Sequence, residues 1–374
     1  MQFTEKYKGF EIGPIRPPSE AESLLIRLTR NCPWNRCTFC PLYKNARFSI
    51  RPVDHVLRDI DTVRRCVDLI VKARSSGNSP DSADDDLHAM HAAYQFVAGG
   101  MQSIFIQDAN SLILKPEDIL CILKHLKQTF PMVERITSYA RSQTIARVSD
   151  DCLRAMAEAG LNRIHIGMES GSDRVLKRVR KGTNKATQIV AGQKVKKAGM
   201  QLSEYYMPGL GGKSLSIENA RETAHTLNQI NPDYIRLRTL AMPEDAPLTK
   251  QYRDGTFDKM GEVDTAGELL LFLESLSGIT STVTSDHVLN LFQEIDGVLP
   301  GDREKMIQPV RDFLSLDREE QLLFCIGRRT HRIARLDGLH NPVQRRNTRQ
   351  ICTELGVTVE NMDAVIDQIT QGFI

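Results

Sequence analysis

The sequence predicts an α/β fold built on a parallel sheet, and three observations carry that expectation. Strand-like runs at residues 23–30, 103–107, 135–139, 163–168, 201–207 and 234–240 alternate with helical patterns. The helices between the later strands have start and stop signals. Ser149 caps one carrying Leu153, Met156 and Ala157 that stops at Gly160; Thr183 caps another carrying Ala186, Ile189 and Val190 that stops at Gly199. Both stops read Ala-Gly, one apolar residue, then a strand, and they lie 39 residues apart, about one strand–helix unit.

Six such units within residues 23–242 suit an open doubly wound sheet or an incomplete barrel. No Gly-x-Gly-x-x-Gly turn follows the first strand, which argues against a dinucleotide-binding sheet. The interval between the first two strands is the longest. It holds a cysteine-rich loop and a polar stretch, residues 75–86, read as a mobile loop. After Met242 the period breaks: residues 269–276 and 302–314 look helical, and 281–291 is ambiguous. Residues 328–349 then carry seven arginines against the single acid Asp337. The expected organisation is a lead-in over 1–22, a strand–helix body over 23–248, and a mainly helical extension over 249–374.

Composition sets limits on function. With 374 residues, 41% hydrophobic and 26% charged, the chain is an ordinary globular one, neither disordered nor fibrous. A formal net charge of +2 gives no overall basic field for nucleic acid or membrane. No apolar run has membrane-spanning length, and the first eight residues lack the apolar stretch of a secretory signal. A cytoplasmic protein is expected. Eight cysteines are too few for a disulfide scaffold, and Cys66, Cys121, Cys152, Cys325 and Cys352 stand singly, as small buried hydrophobes do.

The other three lie within nine residues, in Asn31-Cys32-Pro33-Trp34-Asn35-Arg36-Cys37-Thr38-Phe39-Cys40-Pro41. The loop follows the first strand, on the carboxyl edge where α/β folds place their chemistry. Three thiolates from one loop can converge on one metal centre. A structural zinc wants a fourth protein ligand, and none lies near; a cubane cluster with three thiolates leaves one iron open. The residues by themselves leave a cluster, a zinc site and unligated thiols as the alternatives.

A three-cysteine loop after the first strand, with Phe39 just before the last cysteine, resembles that of the radical S-adenosylmethionine (SAM) enzymes. The spacing departs from theirs, Cys-x4-Cys-x2-Cys against the usual Cys-x3-Cys-x2-Cys. The resemblance extends over residues 23–248. The turn Gln107-Asp108-Ala109-Asn110 stands where that family binds the amino group of SAM. The run Gly167-Met168-Glu169-Ser170-Gly171-Ser172 stands where the branch of oxygen-independent coproporphyrinogen oxidase and the tRNA methylthiotransferases holds the SAM ribose. A basic residue 12 positions later reaches the SAM carboxylate in that branch, which gives Lys181, with Arg180 beside it. Residues 206–212 resemble the fifth-strand turn, and 236–240, ending at Leu240, the sixth strand beside the adenine.

The resemblance implies a partial (β/α)6 TIM-like barrel with a mainly helical C-terminal extension. It implies a [4Fe–4S] cluster on Cys32, Cys37 and Cys40, with SAM on the open iron. SAM contacts would come from Phe39, Asp108, Ala109, Asn110, Glu169, Ser170, Arg180, Lys181 and Leu240. The implied function is reductive cleavage of SAM, the 5′-deoxyadenosyl radical then acting on an unidentified anionic or small-molecule substrate. A flavodoxin or ferredoxin would supply low-potential electrons. Two alternatives are a cluster- or haem-binding accessory protein of the same fold without turnover, and an RNA-modifying enzyme. The arginine tract carries no aromatic to stack bases, so nucleic acid is not the favoured partner. No second cysteine cluster and no Asp-x-His-x-x-Gly appear, which speaks against an auxiliary cluster and a cobalamin module. His287 is the candidate catalytic acid–base group, with helix capping or packing as its other reading.

Overall fold

The structure, a computed structural model, describes residues 5–77 and 86–371. Eight strands belong to one mostly parallel sheet in the order of the sequence. They are β1 (Leu24–Arg27), β2 (Ser103–Gln107), β3 (Arg135–Ala140), β4 (Leu161–Glu169), β5 (Gln201–Tyr206), β6 (Tyr234–Leu237), β7 (Thr282–Thr284) and β8 (Asp296–Val298). The sheet is open, with β1 and β8 as its edges. The expected α/β partial-barrel class therefore holds.

The chain divides into two compact units: residues 1–35, 45–166 and 191–202, and residues 36–44, 167–190 and 203–374. In the first unit β1 pairs with β2, β2 with β3, and β3 with β4, all parallel. Every residue of β2 is buried, as expected for a strand covered on both faces. Ile26, Ile104, Phe105, Ile136 and Ile164 fill the core, and the Phe105 and Tyr139 rings meet edge to face at 5.2 Å. Buried charges are paired. Arg51, 1% exposed, donates to Asp59 at 2.6 Å, and Glu20 accepts from Ser23 at 2.6 Å and lies 3.4 Å from His165.

In the second unit β5 and β6, and β6 and β7, pair in parallel, and β8 returns antiparallel to β7. The two short strands β7 and β8 were not expected. The ambiguous stretch 281–291 gives three strand residues and then an irregular loop, because Thr282-Val283-Thr284 is too short to show alternation. The expected helices do form, as Glu262–Ser275 and Arg303–Ser315. Phe313 of the second helix meets Phe292 edge to face and Phe324 at a tilt, and Phe292 stacks on Phe324.

Ser149 Oγ accepts from Cys152 N as anticipated, and Gly160 and Gly199 take left-handed φ values of +105° and +82°. The cap of the Lys185–Lys197 helix is different. Asn184 Oδ1 accepts from Thr187 N at 2.8 Å, so the role expected of Thr183 falls one residue later. The polar stretch read as a loop begins inside the Val53–Ser76 helix, and its residues 78–85 lie outside the described residues. Among the described residues, no helix is long and apolar enough to cross a membrane.

Candidate functional site

The cysteine loop is tied at its base. Thr29–Arg30 and Ser49–Ile50 form a two-stranded antiparallel ribbon bracketing residues 31–48. Asn31, at φ +70°, donates through Nδ2 to the Arg47 carbonyl at 2.6 Å; Asn35, at φ +45°, donates its backbone N–H to Cys32 Sγ at 3.4 Å. Asparagine tolerates this left-handed backbone better than most residues, and two of them turn the chain around the first thiol.

Cys37 and Cys40 lie on the segment 36–44, which groups with the second unit. Thr38, 2% exposed, fixes it: its N–H donates to Val179 O at 3.0 Å and its carbonyl accepts from Leu248 N at 2.8 Å. Lys44 Nζ donates to the Cys37 carbonyl at 2.9 Å. Phe39, with Met207 and Leu240, packs against the buried cluster of Val175, Val179, Leu210 and Leu215. Cys32, Cys37 and Cys40 are half-buried thiols, none in a disulfide. Three thiols on an anchored loop, one already accepting an N–H bond, are a donor set that suits iron. Among the described residues, no three His, Cys, Asp or Glu side chains stand together as a ready metal-holding group.

At the end of β4, Glu169 takes a left-handed φ of +64° and its carbonyl accepts from Met207 N at 3.0 Å. Lys181 Nζ lies 3.0 Å from Glu169 Oε1 and 5.6 Å from the centre of the Phe39 ring. Lys181 is therefore the basic residue that meets Glu169, while Arg180, also left-handed, is exposed. Ser170 is fully buried, its Oγ accepting from Ser172 N at 3.0 Å; Gly171 N donates to Thr223 Oγ1 at 2.8 Å. These two residues shape the turn. Glu204, on β5, escaped the sequence reading because nothing around it resembles a motif. It is 1% exposed, and its Oε2 is buried without a hydrogen-bond partner. Burial pushes its acid well above the usual carboxylate range; the neighbouring Glu169 adds to the shift and Lys181 opposes it. Its surroundings thus favour the neutral acid over the carboxylate.

In the first unit Asp108 is fully buried at φ +68°, its carboxylate 2.6 Å from Arg27 Nε. Asn110 donates to Thr144 Oγ1 at 2.8 Å and accepts from Arg141 N at 3.0 Å. Both side chains are committed to the turn, and Ala109 is its half-exposed residue. Gln107, the first residue of the same turn, accepts from Gly13 N at 2.8 Å and so holds the N-terminal segment.

The tail residues separate by role. His287 sits in the loop after β7, where Nδ1 accepts from Leu289 N at 3.3 Å; burial and the adjacent Arg238 hold its pKa below the usual value. With Nδ1 as acceptor, the tautomer that fits this bond carries its proton on Nε2. Asp286 pairs with both Arg236 and Arg238. Within the arginine tract, Arg328 donates to the carbonyls of Asn290 and Leu291, Arg329 pairs with Glu262, and Arg345 with Glu320. Arg332, Arg335, Arg346 and Arg349 are exposed.

Among curated proteins, the chain is 29% identical over 188 residues to 4′-phospho-dehydrooxetanocin synthase of Priestia megaterium, covering 48% of this chain and 22% of that enzyme. It is 22% identical over 280 residues to tRNA uridine(34) acetyltransferase of Methanocaldococcus infernus, covering 70% of this chain and 51% of that protein. The chain thus spans at most about half the length of these relatives. Among solved structures, coproporphyrinogen III oxidase from Escherichia coli, a radical SAM enzyme, aligns with a TM-score of 0.46 at 16% identity, covering 67% of this chain and 52% of that one. Residues 26–224, just over half of the chain, match the family model of the radical SAM superfamily. The chain belongs to that superfamily, and is an enzyme of the kind that works with a [4Fe–4S] cluster and SAM.

Proposed function

We propose that this enzyme carries its cluster on Cys32, Cys37 and Cys40, cleaves SAM reductively, and abstracts hydrogen from a small polar substrate. The observation that supports it best is the Lys181–Glu169 ion pair beside Phe39, the residue preceding Cys40. Family members need a reductant, here assigned to a flavodoxin or ferredoxin.

When bound, the cluster supplies the electron that breaks a carbon–sulfur bond of SAM. The chain supplies placement. Glu169 accepts hydrogen bonds from the two ribose hydroxyls, and Lys181 turns from Glu169 to the SAM carboxylate. The backbone at Ala109 receives the amino group, while Phe39 and Leu240 give the apolar side that keeps water away. Glu204, whose burial favours the protonated acid, would then offer an O–H donor beside Glu169 without adding a second negative charge.

The test is anaerobic. Iron- and sulfide-reconstituted protein with dithionite and SAM is expected to form 5′-deoxyadenosine, and the Cys40→Ala variant is expected to form none. Absence of product from a fully loaded wild-type protein would refute the reading.

A further inference from the structure

Three adjoining cavities of about 110, 40 and 40 Å³ lie within the second unit, all bordered by Thr239 and Glu262. They open from the chain just after β6, and Leu240, which lines two of them, belongs to the same apolar cluster as Phe39. The Met362–Thr370 helix forms one wall through Ile366 and Asp367. We propose that this chamber is the substrate site, that it takes a small polyol or amine bearing one anionic group, and that the Met362–Thr370 helix is its gate. The proposal rests on the reading of the protein as an enzyme acting on a small polar molecule.

The wall dictates the ligand's hydrogen-bonding character. Thr239 donates to Leu289 O at 2.6 Å, Thr249 to Pro243 O at 2.6 Å, Thr265 to Gly261 O at 2.8 Å and Thr370 to Ile366 O at 2.8 Å. Each hydroxyl has placed its proton on a backbone carbonyl and presents only lone pairs, so the complementary ligand is rich in O–H or N–H donors. One cation is held on the wall by a side chain of the gate itself: Lys259 pairs with Asp367. The arginines on the wall are, by contrast, held by groups outside the gate: Arg329 by Glu262 and the Leu289 carbonyl, Arg253 by Glu244 and Arg238 by Asp286. A ligand anion therefore has Lys259 as its partner, in the place Asp367 now takes.

The gate is lightly fastened. Met362 and Ile366 are its buried apolar side chains. Asp363 accepts from Glu262 N at 3.0 Å, and a Cβ on Gly261 would run into the Asp363 carboxylate. The largest of the three, about 110 Å³, is well below the roughly 300–1,000 Å³ of a ligand site, so a ligand of that size enters only if a wall moves. An anion that takes Lys259 from Asp367 removes one fastening of the helix, so binding and opening are one event.

Calorimetric binding to full-length holoprotein without SAM tests this, with ribose 5-phosphate as probe and ribose as the uncharged control. Asp367→Asn is expected to tighten ribose 5-phosphate about tenfold or more by removing the internal competitor, and to leave ribose unchanged. Adding Lys259→Gln is expected to cancel the gain. Ribose 5-phosphate should also speed amide exchange in residues 362–370 of the wild type. Equal affinity in wild type and Asp367→Asn, a gain that survives Lys259→Gln, or no binding by any variant at millimolar probe would overturn the proposal. Because binding is read without SAM, these results bear on the chamber whether or not the protein cleaves SAM. Deoxyadenosine formation without substrate, measured in the same preparations, judges the proposed function separately.

Discussion

Lys181 Nζ stands 3.0 Å from Glu169 Oε1 although the two residues are twelve apart, because the short Asp173–Arg178 helix folds the chain back on itself. Two groups that the proposed function gives to SAM thus neutralise each other.

Replacing either partner should weaken SAM. Glu169→Ala is expected to cost ~1.5–3 kcal/mol of SAM affinity with the cluster intact, the range for a hydrogen bond to a charged group. Lys181→Ala should lose a similar amount, and Lys181→Arg should regain most of it. Equilibrium dialysis on iron-loaded protein measures this; wild-type affinity in both alanine variants would count against the assignment of β4.

Alanine at Cys32, Cys37 or Cys40 should abolish or diminish the broad absorbance near ~400 nm that thiolate-bound clusters give. Iron content of the triple variant is the decisive number. A full complement of four irons there would place the cluster elsewhere.

Glu204→Gln should change stability with a defined sign. The acid is raised in the folded state, so its contribution is present below the unfolded value near 4.5 and is lost as pH rises above it. Gln does not titrate. The variant should therefore gain on wild type between pH 4.5 and pH 8, read as the difference in urea midpoint. A constant difference would mean that Glu204 is ionised throughout.

Glu20 should behave in the opposite way. Burial raises its acid, but hydrogen bonds from His165 and Ser23, and the charge of Arg135, outweigh that and hold it at about 2, against 4.5 unfolded. A depressed acid stabilises above the unfolded value and loses its contribution as pH falls from about 4.5 to about 2. Glu20→Gln should cost ~3 kcal/mol at pH 7, with the gap to wild type closing in that window.

Gly171→Ala should be destabilising for a reason unrelated to cofactor. A Cβ there would sit 2.6 Å from Thr223 Cα and press on the Glu222 carbonyl and Thr226 Oγ1. Overpacking against backbone typically costs ~1–3 kcal/mol. Thermal melting without iron or SAM checks it, and an unchanged melting temperature would contradict the packing.

Six strands were legible because each is long enough to show its pattern, and β2 was read to the residue. The helix stops at Gly160 and Gly199 were legible because a left-handed backbone favours glycine. β7 and β8 were not, since three residues carry no period. Within the site, clustered cysteines and a motif acid with its base twelve residues on can be seen in a linear text. Glu204 cannot: a lone glutamate reads as a surface residue until the fold buries it on β5. The arginine tract was legible only in part. Seven like charges suggest one surface, yet Arg328, Arg329 and Arg345 turn inward to carbonyls and acids that come from distant segments.

The antiparallel ribbon at the base of the cysteine loop has a consequence for how iron is acquired. Closing a flexible loop over residues 31–48 costs on the order of 2–3 kcal/mol of chain entropy. Here Thr29–Arg30 pairing with Ser49–Ile50 offsets part of that cost with the protein's own backbone bonds. Iron bound by the proposed cysteines would not have to supply that part of the closure. Weakening the ribbon, which lies outside the thiols themselves, should therefore lower iron affinity as surely as removing a ligand.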